Sequence, residues 1–93
     1  MTVNEFGAYL IGEGYTKNAT RSRMDKLHGV EREWGVSLER VVQDDDQMYQ
    51  TLLRAKFDER ERHGKIQNAL RRLYFFVNRI EFPRLKDYAR RLR

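Results

Sequence analysis

Lys65, Asn68 and Arg72 follow one another at i, i+3 and i+7. On a helix that spacing sets the three side chains in one row over about two turns. Arg71 and Arg79 project from the same side of the segment, and Gln67 adjoins it. A row of cations can neutralise phosphates, and arginine or asparagine can read purine edges in a major groove. The bland alternative is a charged solvent face that keeps the chain soluble. A second group, Lys17, Arg21 and His28 with Asn18 close by, lies in a segment that opens at Thr16. A helix start with basic neighbours suits a phosphate. Asp25, Glu31 and Glu33 share that segment and can pair with its cations instead. The last stretch, Arg84 to Arg93, is also strongly basic and reads as the start of a linker crossing DNA or as a frayed tail.

Catalytic chemistry finds no constellation. His28 and His63 stand 35 positions apart, with no cysteine and no His-Glu-x-x-His spacing, so neither a metal site nor a cofactor is expected. Asp44-Asp45-Asp46 reads as a helix-capping run. Tyr88 has no arginine and histidine set around it, and a lone tyrosine cannot activate itself. Gly12 and Gly14 are helix stops rather than a phosphate loop. No catalytic residue is assigned.

The elements that must position these residues are helical. No stretch sustains period-2 alternation, there is one proline, and apolar residues recur at helical spacing between glycine and cap signals. Thr2-Val3-Asn4-Glu5 has the form of a capping box ahead of Phe6, Tyr9 and Leu10, and Gly12 and Gly14 end that helix. Thr16 starts a long helix to Trp34 with Ala19, Leu27, Val30 and Trp34 on one face and Met24 at its edge. Arg23 falls within that stripe and snorkels past it. Gly35 stands at the C-terminal cap position. Ser37 caps a single turn from Leu38 to Val42. The acidic run precedes a third long helix whose apolar face is Tyr49, Leu52, Leu53 and Phe57, where negative charge suits the helix dipole. Asp58 to His63 is a helix end and loop. The fourth helix, Lys65 to Arg79, buries Ile66, Ala69, Leu70, Leu73, Val77 and Ile80. Trp34 and Phe76 belong to the core, and Phe75 projects on the basic side. Pro83 breaks the chain before a short basic helix with Leu85, Tyr88, Ala89 and Leu92. The expected fold is all-α, one compact bundle of four main helices plus short helical turns over residues 1–93.

This order of pieces resembles a known family. Phe6-x-x-Tyr9-Leu10, Gly14-Tyr15-Thr16-x-Asn18-Ala19-Thr20 and the helix after it are similar to the start of the N-terminal, SAM-like core-binding domain of phage integrases and other tyrosine recombinases. Gly64-Lys65-Ile66-Gln67-Asn68-Ala69-Leu70-Arg71-Arg72-Leu73-Tyr74-Phe75-Phe76 is similar to that domain's last long helix. The likeness spans roughly residues 4 to 83. It departs at Arg23, where the family carries a tyrosine, and at Phe82-Pro83, where it carries Asn-Pro. The resemblance implies half of a clamp on duplex DNA, serving integration or recombination. The family's catalytic domain, with its tyrosine nucleophile, is not in these residues. The chain is then a domain of a longer recombinase or a free-standing relative.

Composition bounds the rest. Ninety-three residues suffice for one domain, and 40% apolar content with eleven aromatics is that of a folded chain. The net charge of +5 is unevenly spread. Residues 1–53 carry six Lys/Arg against nine Asp/Glu, whereas residues 54–93 carry thirteen against five. The split points to a polyanionic partner for the second half. Absent cysteine fits a reducing compartment, no apolar run is long enough for a bilayer, and no signal-peptide pattern opens the chain, so a cytoplasmic protein without membrane contact is expected. The competing expectation is a protein-interaction or self-association domain using Phe75 and the basic face.

Overall fold

The computed structural model describes residues 3–92, and the side chains of residues 4–92. Its elements are α1 (Val3–Gly12), α2 (Lys17–Trp34), α3 (Leu38–Val41), α4 (Asp45–Lys56), α5 (Lys65–Asn78) and α6 (Leu85–Arg91), with no strand among the described residues. The all-α expectation holds. Thr2, the first residue of the expected capping box, lies outside the described residues.

Local signals account for most boundaries. Thr16 adopts an extended backbone and its hydroxyl accepts the Ala19 N–H at 3.0 Å, which starts α2. Gly35 ends it at φ 63°, with its N–H on the Glu31 carbonyl at 3.0 Å. A side chain at that φ is strained, so Gly35→Ala is expected to cost about 1 kcal/mol in chemical denaturation, with the slope against denaturant unchanged. Asp44 starts α4 by accepting the Asp46 and Gln47 N–H groups at 3.0 and 3.2 Å. Those bonds, the Gln47 backbone bond foremost, hold its carboxyl below the usual range.

The start of α3 differs from expectation, while α5 starts at Lys65 as expected but without a cap from the residue before it. Ser37 precedes α3 but makes no side-chain cap; the Leu38 N–H goes back to Glu31 Oε2 at 3.1 Å instead. α5 begins after Gly64, which has no side chain to cap with. Glu61 takes that role from further upstream, accepting Ile66 N–H at 2.8 Å and Gln67 N–H at 3.0 Å.

α5 is the central element. It packs against α2, α4 and α1, while α2 also packs on α1, and α4 on α3 and α6. Ile66, Ala69, Leu70, Leu73 and Tyr74 of α5 are buried. They meet Phe6 and Leu10 of α1, Leu27 and Val30 of α2, and Met48, Leu52 and Ala55 of α4 in one core. The buried face of α4 is therefore rotated from the expected one. Met48, Thr51, Leu52 and Ala55 point inward, Tyr49 and Leu53 are half-buried, and Phe57 is 77% exposed. Ile80, expected in the α5 stripe, is also exposed because the helix has already ended at Asn78.

The basic C-terminal segment is a docked helix rather than a frayed tail. Tyr88 of α6 is buried, its ring stacks obliquely on Tyr49 at 5.0 Å, and its hydroxyl donates to Asp46. Tyr74 of α5 donates its hydroxyl to Asp45 at 2.8 Å. The acidic run thus caps α4 and ties α5 and α6 to it. The phenol pKa values rise to about 12: burial leads for Tyr74, with Asp45 adding to it, and the hydrogen bond to Asp46 leads for Tyr88. A phenol whose folded pKa exceeds its unfolded value stabilises the fold fully below that unfolded value, and the contribution is lost as pH rises through the folded one. Stability is therefore expected to fall between pH 10 and about 12. Tyr74→Phe/Tyr88→Phe should flatten that loss when melting temperature is followed against pH.

Candidate nucleic-acid interface

The row read from the sequence stands on the exposed side of α5. Lys65, Asn68 and Arg72 are all exposed, opposite the buried stripe. α5 delivers Lys65 and Asn68 to one edge of the contact with α2, and α2 supplies Ser22, Arg23 and Lys26 to the same place. His63 closes the group from the loop before α5, leaving a cleft of about 430 Å³. Among the described residues its lining holds no carboxylate. A second cleft, of about 290 Å³, lies between α5 and the turn toward α6. Asn68 lines both, and Arg71, Arg72, Phe75, Glu81 and Phe82 complete the second. A band of donors and cations therefore runs from Lys26 through Lys65 and Asn68 to Arg72.

Three nearby acids are engaged elsewhere, whereas Asp25 adjoins Lys26 on α2. Glu33 pairs with Arg60, which also forks onto Asp58 at 2.9–3.0 Å. Glu31 accepts the Leu38 N–H, with the His28 ring 4.0 Å from its other oxygen. Glu61 is taken up by the first turn of α5.

Four residues expected to contact DNA, and Phe75 beside them, are placed otherwise. Arg71 does not project into solvent. It is half-buried, and its Nη1 donates to the Phe82 and Pro83 carbonyls at 2.8 and 3.1 Å. Burial lowers its pKa, with Glu81 acting in the opposite sense. The reason is the chain reversal after α5, which leaves two carbonyls without helical partners and within reach of a long donor. Arg79 lies past the end of α5 in the left-handed region at φ 61°, and its guanidinium stands over the rings of Tyr9 and Phe76. Lys17 and Arg21 are exposed, but they occupy a different side of α2 from Ser22 and Lys26 and do not line the cleft. Phe75 is half-buried, a wall of the second cleft rather than a free stacking platform.

Comparison with protein-family models, with curated proteins and with solved structures gives no match. The functional reading therefore rests on the chain's own geometry and on the resemblance in its motifs.

Lys26, Ser22 and Arg23 were not legible as site residues from the sequence. Lys26 carried a faint signal, since it follows Ser22 by one helical turn, and its Nζ donates to the Ser22 hydroxyl at 2.8 Å. For His63 the sequence raises only the question of metal ligation. Among the described residues no group of three or more His, Asp or Glu side chains is placed to hold a metal ion. No helix among them is long and apolar enough to cross a membrane.

Proposed function

We propose that this chain is a duplex-DNA-binding module of the SAM-like, core-binding kind found in phage integrases and tyrosine recombinases, without a catalytic centre of its own. The observation that carries the reading is the cleft formed by Lys26 of α2 with Lys65 and Asn68 of α5, whose lining among the described residues holds no carboxylate, and its continuation along α5 to Arg72. Lysine and arginine spaced along a rigid helix pair can meet successive backbone phosphates, while Asn68 between them can donate to a base edge or a phosphate. Contacts dominated by phosphates give affinity without strong sequence preference, so this module grips DNA and leaves any selection of a site to an attached partner domain. Lys17 and Arg21 lie outside the band and serve at most as secondary contacts in this reading.

A second reading is a protein-interaction domain. Its support is a shallow, largely apolar groove walled by Trp34, Val36 and Val41, with Arg54 stacked on Trp34 at 4.8 Å, together with the exposed Phe57. Titration of the chain into a fluorescent duplex, paired with sedimentation of the chain alone, separates the two. DNA binding by a monomer supports the first. Self-association without DNA binding supports the second and removes the first.

A further inference from the structure

The cleft between α2 and α5 has features that a merely solvated basic surface lacks. His63 is held at φ 57°, followed by Gly64 at φ 72°. A residue with a side chain seldom adopts that backbone, and such strain gathers where a side chain is held in place for use. Here the conformation brings His63 to the rim opposite α2. Arg23, on the α2 wall, donates Nη1 to the Ala19 carbonyl at 3.3 Å and stands over the Tyr15 ring at 4.7 Å. Its enclosed Nε finds no acceptor among the described residues. A buried donor without an acceptor is costly, and because this atom is enclosed an anion in the cleft satisfies it only with a small shift of the Arg23 side chain. The start of α5 does not make the site. Its Ile66 and Gln67 amides are already occupied by Glu61, so the side chains alone define the cleft.

The geometry points to a seat for one phosphate group, formed by Ser22, Arg23, Lys26, His63, Lys65 and Asn68 and filled by a backbone phosphodiester of duplex DNA. This rests on the DNA-binding reading above and deepens it. The seat is concave and bounded on three sides by the two helices and the loop. It fixes the register of the module on the duplex, whereas Arg72 further along α5 adds an open, adaptable contact. Lys26 and Lys65 supply full charges from opposite walls. Ser22 and Asn68 supply neutral hydrogen bonds that orient the phosphate oxygens.

The test is a nuclear-magnetic-resonance titration of the full chain with inorganic phosphate and, separately, with a short duplex. It is read beside anisotropy titrations of Lys26→Ala/Lys65→Ala and of the equally charge-depleted Arg40→Ala/Lys56→Ala. The seat predicts saturable shifts at Lys26, His63, Lys65 and Asn68 with both ligands, the duplex acting at far lower concentration. It also predicts that the cleft pair lowers duplex affinity at least tenfold more than the control pair, and lowers the salt-dependence slope by about 1. Duplex binding that moves Arg72 but leaves the cleft signals in place overturns the seat and spares the DNA reading. Equal losses in the two pairs overturn the seat in favour of a diffuse charge field. Phosphate shifts in the cleft without any duplex binding at low salt overturn both the DNA reading and the phosphodiester as the occupant.

Discussion

Lys65→Ala combined with Arg72→Ala should weaken duplex binding by roughly 30–100-fold at ~50 mM salt and lower the salt-dependence slope by about 2, because each removes one phosphate contact. Both residues are exposed on α5 and neither takes part in the core, so the melting temperature should stay within about 3 °C of the parent. That pairing of outcomes is what separates a binding face from a structural one. A fall in affinity accompanied by a comparable fall in stability would mean that the two cations support the fold. An unchanged slope would mean that α5 presents another side to DNA, or none.

Arg71→Ala should do the reverse. Arg71 neighbours Arg72 in sequence, yet its guanidinium is committed to the Phe82 and Pro83 carbonyls and lies 5.9 Å from the Phe82 ring. Removing it leaves both carbonyls short of a charged donor and opens the packing under Phe82, which is itself buried against Tyr74 and Tyr88. The expected cost is about 2–3 kcal/mol, since hydrogen bonds to charged groups lie in that range. For a domain of this size that is a drop of roughly 10–20 °C in melting temperature. Arg71→Lys should recover little, because a single ammonium cannot reproduce the planar reach of the guanidinium across two carbonyls. The salt-dependence slope of the surviving folded protein should be nearly that of the parent. A variant as stable as the parent but defective in binding would instead return Arg71 to the contact surface.

The contrast between Arg71 and Arg72 shows where sequence reading succeeds and where it stops. Thr16, Gly35 and Asp44 were legible as boundaries because each acts within three or four residues of itself. The apolar stripe of α5 was legible because the helical period is local, and so the all-α fold followed. What joins the helices is not local. Tyr88 meets Asp46 and Tyr74 meets Asp45 across 42 and 29 positions, and nothing in the acidic run announces that it accepts phenols as well as capping a helix. Glu61 caps α5 from outside the usual capping position because Gly64 gives the loop a left-handed turn that carries the carboxylate back over the helix start. The α4 face was misread for a related reason. Phe57, one of the two aromatic candidates, falls just beyond the helix, while the smaller Ala55 and the flexible Met48 fill the space next to α5.

The candidate site divides in the same way. Lys65, Asn68 and Arg72 follow from spacing on one helix. Ser22, Arg23, Lys26 and His63 require knowing which edge of α2 packs beside α5, and that edge is the opposite one from Lys17 and Arg21. Arg23 was legible as a residue in the apolar stripe, but not as one whose Nε would lack an acceptor at the wall of a cleft.

The most direct test of the account is the affinity of the unmodified chain for a fluorescent duplex at ~50 and ~200 mM salt. A module whose seat, Arg72 and secondary contacts at Lys17 and Arg21 together engage about four phosphates predicts binding that weakens on the order of a hundredfold across that range. Undetectable binding at the lower salt, or an affinity that hardly changes between the two, would contradict it.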